Sequence, residues 1–515
     1  MTTRETRMAE LIGPLSLATD AANGMGPETA MRTSILAVAL ARAHGLTGDV
    51  VRDVYWTSVL RFLGCTSYAH ETARDGAGDD LALLRSLLTV DAASPASVMA
   101  GAWRATSSKP TRTRAAVLLG VVSNPHAQRD FVNAHCSAAS ALASDLGMSA
   151  GTQRALTQIH ERWDGKGASL GLRGDAIELA ARVVQVAHRA EIHRALAGPR
   201  EALEEVERRA GGELDPALVR TFREVAGALF PALNAGVFTL FLEAEPAPRW
   251  WLAEASIRPI ALAFARYADL KSTFTLGHST GVAALALRMA ATLGFEAEER
   301  AHVERAALLH DLGRTAIPNA IWDAPRPLDA LERARAESHA QHTGSILALS
   351  PAFTAIAATA RSAHERMDGS GYPSRDAGAH LTNLLAVADV VHALGESRPH
   401  RASLDMDAIA TLTRSLVREG KLEAQSVDAA LSALGAPKMP RIWPDSLSER
   451  EVEVLGLLAR GQSNKDIAQA LSLSPKTVQH HVAHIYDKTG IRTRTGAALY
   501  AVRHALIDSA PRSRA

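Results

Sequence analysis

Six side chains in the middle of the chain are of the right type to hold a metal: His278, the doublet His310-Asp311, His339, His364 and Asp389. Imidazole nitrogens mixed with carboxylate oxygens suit manganese, iron, zinc or magnesium, and an aspartate can bridge two ions. Two such ions, about 3.5–4 Å apart, hold a hydroxide ready for in-line attack on phosphorus. Each histidine taken alone has a duller reading, as a surface residue or a hydrogen-bonded core residue. Six candidates in one segment, with a His-Asp doublet closing a helix, weigh against it.

The elements that would position these side chains are written twice. "HERMDGSGYP" at 364–373 is nearly repeated by "HERWDGKGAS" at 160–169, and only the later copy ends in Tyr-Pro. An offset of 249 pairs Asp20 with Asp269, Gly45 with Gly294 and Gly64 with Gly313, whereas His160 pairs with His364 at an offset of 204. The earlier copy thus carries 45 extra residues between Gly64 and His160, an insertion that needs secondary structure of its own. In the later copy Val282, Leu285, Met289 and Leu293 recur at helical spacing before Gly294. "AEERAHVERAALLHDLG" reads as a second helix running to Gly313, and "LTNLLAVADVVHALGE" as a third. Carried into the earlier copy, His278 becomes Thr29, His310-Asp311 become Arg61-Phe62, and Asp389 falls near His188. Only His160 survives, and one imidazole does not hold a catalytic metal. "HERWDGKGAS" is therefore expected to be an inherited turn and helix entry, with a metal-free small-molecule pocket as the alternative.

A chain of 515 residues is too long for one ordinary domain. Hydrophobic content of 47% with 22% charged residues is globular, and few aromatics or alternating β-branched runs favour helices. Prolines in "EPAPRWW" (245–251) and "GAPKMPRIWPDS" (435–446) suggest domains at 1–240, 246–438 and 444–515. A net charge of +1 exerts no global pull on nucleic acid or membrane, so such a function needs a local patch. Cys65 and Cys136 make no disulfide framework and suit a reducing compartment. The start, "MTTRETRMAELIG", lacks a signal-peptide core, and no apolar run approaches about 18 residues. A cytoplasmic protein with no membrane partner is expected.

The later copy resembles the HD-GYP subgroup of HD-domain phosphohydrolases. The resemblance rests on "HST" at 278, "HDLGRTAIP" at 310–318, "HAQHTGSIL" at 339–347, "HERMDGSGYP" at 364–373 and "AVADVVHAL" at 386–394. It implies an all-α fold, a centre of two or three metals, usually iron or manganese, and hydrolysis of cyclic di-GMP or a related cyclic dinucleotide. It also implies that His278, His310, Asp311, His339, His364 and Asp389 are the metal ligands. Gly371, Tyr372 and Pro373 match the motif loop beside the nucleotide. Asp311 and Arg314 are the expected catalytic residues, Asp311 bridging metals and Arg314 steadying phosphate.

Two positions depart from that pattern. Ala363 stands where the family has the first of two adjacent histidines, which weakens a second metal site unless His342 or water completes it. Arg314 stands where the family has lysine; its guanidinium forks well onto phosphate but is a poor acid.

The last seventy residues read as four short helices. Ser448 with Glu451 forms a capping box, Ser463 or Asn464 caps the next helix, and Ser474 precedes Pro475 at a first helical position. Val452, Leu455, Leu458 and Ala459, then Ile467, Ala468 and Leu471, then Val478, Val482 and Ile485 make inward faces. Two helices joined by a short turn, the second polar outward, suit the major groove of double-stranded DNA. From Ser474 to Ala515 seven Lys/Arg oppose two Asp/Glu, a local excess that attracts phosphate. "LSEREVEVLGLLARGQSNKDIAQALSLSPKTVQHHV" is similar to the DNA-binding domain of LuxR-type transcription regulators. That similarity implies base contacts from Gln479, His480 and Ala483, and phosphate contacts from Lys465, Lys476 and Thr477. It further implies that the last helix, about 494–507, pairs two subunits as a homodimer. Ala483 cannot hydrogen-bond a base, which leaves base readout to Gln479 and His480.

The fold expected is thus all-α: two tandem HD-like bundles, the first degenerate, followed by a four-helix LuxR-type helix-turn-helix. The function expected is a transcription regulator whose HD-GYP-like region senses a nucleotide. The alternative is an active metal-dependent phosphodiesterase, localised or regulated by its DNA-binding end. A third, weaker reading makes both copies inert scaffolds.

Overall fold

A computed structural model describes residues 6–76, 78–123, 127–435, 443–504 and 506. It is all-α; among the described residues the strands are Thr6–Arg7 and Trp251–Leu252, a short antiparallel pair. The chain forms two compact units, Met1–Ile260 with Leu349–Phe353, and Ala261–Ala348 with Thr354–Ala515. The expected domain end at 438 falls in 436–442, outside the described residues. Among the described residues no helix is long and apolar enough to cross a membrane.

The repeat is visible in the helix boundaries. Helix Thr29–Ala43 and helix His278–Thr292 match end to end at the offset of 249, as do Gly48–Leu60 and Ala297–Leu309. Past the insertion, Ala127–Asp145 and Ala330–Ala348, then Ala150–Gln158 and Thr354–Arg361, follow the offset of 204 to within one residue. Ala69–Asp75 lies where Asn319–Trp322 falls at the offset of 249, and the insertion supplies the helices Asp80–Leu87, Pro95–Ala105 and Thr111–Ser123. Each copy also anchors its first paired helix on a buried carboxylate. Asp20 Oδ1 accepts from Ala30 N at 3.0 Å, and Asp269 Oδ2 accepts from Ser279 N at 3.0 Å. Those amides belong to the helix start, where the backbone offers no acceptor of its own.

One helix ends earlier than its sequence suggests. Ala297–Leu309 stops four residues short of Gly313, His310 takes the capping position, and a 3-10 turn Leu312–Ala316 follows. Gly313 is needed for close approach: a Cβ there would lie 2.1 Å from the carbonyl oxygen of His339. Gly64 repeats the contact, 2.0 Å from the His135 carbonyl oxygen. Thr343 latches the same crossing, accepting from Gly313 N and donating to the His310 carbonyl, both at 2.9 Å.

The C-terminal helices are Glu449–Ala459, Asn464–Ala470, Pro475–Thr489 and Arg494–Arg503. Ser448 and Glu451 cap each other's backbone, Ser463 rather than Asn464 caps the second helix, and Ser474 caps the third ahead of Pro475. The last helix closes at Arg503; 505 and 507 onward lie outside the described residues. Within this unit Arg266 Nη2 donates to the Arg503 carbonyl at 2.9 Å.

Candidate metal centre and nucleic-acid interface

The six expected ligands come together, and all are buried. Asp311 is central. Its Oδ2 lies 3.2 Å from His310 Nε2, 3.4 Å from His278 Nε2 and 3.0 Å from Arg314 Nε. Its Oδ1 lies 3.2 Å from His339 Nε2 and 3.5 Å from His364 Nε2. Asp389 faces it, with Oδ1 3.1 Å from His278 Nε2 and Oδ2 3.2 Å from His364 Nδ1. The Nε2 atoms of His339 and His364 are 2.9 Å apart.

The imidazoles are held with chosen nitrogens inward. His310 Nδ1 donates to the Ala307 carbonyl at 2.7 Å and His339 Nδ1 to the Ala336 carbonyl at 2.6 Å. Each bond puts the proton on Nδ1 and aims the Nε2 lone pair at the cluster, as metal-binding histidines require. Three sets of donor atoms lie close enough to share an ion: His278, His310 and Asp389; His310, Asp311 and His364; and His278, His392 and Glu396. Both Asp311 oxygens and His310 Nε2 have no aligned hydrogen-bond partner although they are buried. Converging lone pairs without donors are costly in a protein interior and fit a divalent cation.

Protons compete for the same nitrogens. Burial pushes His278 down, but Glu396 and Asp389 outweigh it and raise its pKa to about 9. Burial likewise opposes His310, and Asp311 with Asp389 lifts it to about 10. Burial, helped by His364, holds His339 at about 4. Asp311 and Asp389 stay well below the usual carboxylate range because cationic neighbours overcome their burial: Arg314 and His310 for Asp311, the surrounding histidines for Asp389.

Sequence reading passed over Glu396 and His392. Glu396 Oε2 accepts from His278 Nδ1 at 2.9 Å, while Arg398 donates to the same oxygen at 2.6 Å. His392 Nδ1 sits 3.3 Å from Glu396 Oε1. Part of the signal was available: His392 follows Asp389 by three residues on the helix His380–Leu394, whereas Glu396 lies just past the helix end. His342, the suggested substitute for the ligand missing at Ala363, is exposed and belongs to none of the three donor sets.

Arg314 lies with its guanidinium 4.9 Å from the Trp322 ring centroid and is mostly buried. Tyr372 stacks on His364 at 5.0 Å and meets His339 edge-on at 5.9 Å; Pro373 beside it is half-buried. Gly371 is there because a Cβ would lie 2.4 Å from Arg366 N. Glu365 Oε1 clamps the loop by accepting from Ser374 N at 2.5 Å and Arg375 N at 3.1 Å. In the earlier copy Glu161 accepts from Leu170 N and, at 3.1 Å, from Leu172 N, and a Cβ on Gly167 would lie 2.8 Å from Glu161 Cα. The shared phrase is thus a glutamate-clamped turn, built the same way in the copy that keeps the candidate ligands and in the one that lacks most of them.

The earlier copy keeps more than one imidazole. The offset of 204 pairs His135 with His339, and pairs Asp389 with Gln185 rather than with His188. Gln185 Nε2 donates to the Glu161 carbonyl at 2.8 Å, and His135 packs against His160 with ring centres 4.9 Å apart. Arg61 and Phe62 fill the His310 and Asp311 positions. Among the described residues no metal-binding cluster of this kind occurs there.

In the C-terminal bundle Val478 and Ile485 are buried and Val482 is half-buried. Gln479, His480, Ala483, Lys465 and Lys476 are exposed and Thr477 is half-buried. The helix Pro475–Thr489 therefore turns its polar face outward, as a major-groove reader does.

Comparison with known proteins follows this division. The sequence matches the HD domain family over residues 124–218 and 263–416, and the luxR family of bacterial regulatory proteins over residues 445–501. It is 29% identical over 423 residues to the 3'3'-cGAMP-specific phosphodiesterase 3 of Vibrio cholerae, covering 79% of this chain and 91% of that protein. A crystal structure described as a cyclic GMP-AMP-specific phosphodiesterase of V. cholerae aligns with a TM-score of 0.59 at 25% identity, covering 84% of this chain and 99% of the other. The response regulator protein VraR of Staphylococcus aureus is 46% identical over 64 residues, 12% of this chain and 31% of that protein.

Proposed function

We propose that this chain, an HD-domain protein with a C-terminal luxR-family DNA-binding domain, is a DNA-binding regulator whose second HD copy binds a divalent metal and cleaves a 3'3'-cyclic dinucleotide. One observation carries the reading: four buried imidazoles and two buried carboxylates converge around Asp311. His278, His310, Asp311, His339, His364 and Asp389 would hold the metal; their mixed nitrogen and oxygen donors suit iron, manganese, zinc or magnesium, and the HD-GYP resemblance favours iron or manganese. Bound metal supplies Lewis acidity at the phosphoryl group and a water of lowered pKa. The name and coverage of the V. cholerae relative favour a mixed cyclic GMP-AMP over cyclic di-GMP.

The chain's own residues do the rest. Asp311 faces histidines through both oxygens, which suits a bridging position. Arg314, ion-paired to Asp311 and held over Trp322, orients a phosphate but keeps its proton, because burial fails to offset the surrounding carboxylates. The loop Gly371-Tyr372-Pro373 flanks the nucleotide. With Ala363 replacing an imidazole and Arg314 unable to act as an acid, turnover is slow.

Gln479, His480 and Ala483 face bases while Lys465, Lys476 and Thr477 hold the backbone, with two chains on a two-fold site. Occupancy of the HD site changes operator affinity only through differential affinity of the nucleotide for two states of the chain. The test is the full chain loaded with manganese or iron and offered 3'3'-cGAMP and cyclic di-GMP. Linear product is expected from the wild type and none from Asp311→Asn. No product together with tight nucleotide binding would favour a pure sensor, a reading that Ala363 supports; neither product nor binding would sink both.

A further inference from the structure

The first HD copy has a second kind of site. We propose that it binds a phosphate-bearing small molecule, without metal, through the guanidinium of Arg61. Arg61 occupies the position of His310 in the repeat. Its residue is only 8% exposed, yet its Nε and Nη1 atoms have no hydrogen-bond partner. It lines a cavity of about 90 Å³ together with His160, His188, Gln185 and Arg189. A cavity of that size holds several waters, so it has room for a phosphate group.

The acids around this cavity are already engaged. Glu213 accepts from Arg189 at 2.6 Å and from Arg209, and Arg162 is paired with Asp91 at 2.7 Å and Asp164 at 3.0 Å. Glu161 is spent on the backbone amides of its loop. Arg61 is left as a buried cation without an aligned acceptor, which is costly unless an anion arrives. His160 Nε2 and His188 Nδ1 are also buried without partners. Burial first, then neighbouring cations, keep both rings neutral, so each has one N–H to donate and one nitrogen to accept. A guanidinium with flanking imidazoles matches phosphate chemistry.

The loss of Tyr-Pro opens the way in. In the second copy Tyr372 covers His364, whereas Ala168 in the first has no ring to cover His160. The cavity shares Gln128, Gly167 and Ala168 with an outer groove of about 350 Å³, which is room for the remainder of a phosphate ester.

The experiment uses the full chain with His310→Ala and Asp311→Ala, so that the second copy is silenced, in excess chelator. Inorganic phosphate, GMP and 3'3'-cGAMP are titrated by calorimetry and by thermal shift. At least one is expected to bind and to raise Tm; which one tells a free or terminal phosphate from a diester. Adding Arg61→Met should weaken that binding at least tenfold while the unliganded protein melts no lower, since a lone buried charge has been replaced by an apolar stem. Adding Ala168→Trp should block the mouth and cost as much affinity with Arg61 intact. Binding by none of the three probes, undiminished binding by Arg61→Met, or a lower unliganded Tm for that variant would overturn the proposal. None of these results bears on the metal centre, which the parent variant lacks.

Discussion

At the scale of single residues the proposed metal centre sets protons and metal in competition. His278 and His310 have ordinary values of 6.5 raised to about 9 and about 10. A raised folded-state pKa stabilises the metal-free fold fully below the unfolded value, and that contribution is lost as pH rises through 9 and 10. A metal takes the same lone pairs and releases those protons, so its affinity must climb over the same window. Manganese titrated calorimetrically from about pH 6 to about pH 9 is expected to bind up to about tenfold more tightly per unit for each proton displaced. A flat profile would mean that these imidazoles are not ligands. Glu396 acts one step further out, by fixing the His278 ring. Glu396→Gln is expected to lower metal affinity about 10–100-fold, read by competition with a chelator, while leaving the bound metal stoichiometry unchanged.

At the scale of elements the cluster depends on how closely two helices cross. Gly313 brings the turn after Ala297–Leu309 against the helix Ala330–Ala348, and Thr343 locks it there. A methyl group at 313 has no room beside the His339 backbone, so Gly313→Ala should cost about 1–3 kcal/mol and loosen metal binding. Gly64→Ala meets the same obstacle at His135 in a copy that lacks the ligands. It should destabilise the fold by a similar amount, measured by denaturant unfolding, with metal content untouched. Metal loss in Gly64→Ala, or no stability change in either variant, would contradict this separation of scaffold from site. The glutamate-clamped turn follows the same logic: Glu161 and Glu365 shape equivalent loops, and only the second loop carries a tyrosine to the cluster.

At the scale of the whole molecule two HD copies and a luxR-family domain share one chain with nearly zero net charge. DNA affinity must then come from local cations, and Lys476 is exposed at the start of the reading helix. Lys476→Ala should weaken binding across all sequences and reduce the slope of log affinity against log salt by about 1. Gln479→Ala should instead relax base preference with little change in slope; operator selection followed by salt titration distinguishes the two. A Lys476→Ala protein with an unaltered slope would remove that residue from the interface. Arg266, donating to the Arg503 carbonyl, is a point where the second HD copy touches the C-terminal bundle.

Much of this was legible from the chain alone, because it is decided by neighbours along the backbone. The paired offsets, the helix faces and the Ser448, Ser463 and Ser474 caps follow from short-range spacing, while the six candidate ligands were legible through their residue types and the HD-GYP resemblance. What spacing does not contain is distance between remote segments. It could not tell that Gly313 serves a helix crossing instead of ending a helix, or that Glu396 reaches His278 across 118 positions. Nor could it tell that Arg61, set where an imidazole would sit, is buried with no aligned acceptor for its Nε and Nη1 atoms. Those outcomes belong to packing, where desolvation and contact act on whatever the fold brings together, regardless of separation in sequence.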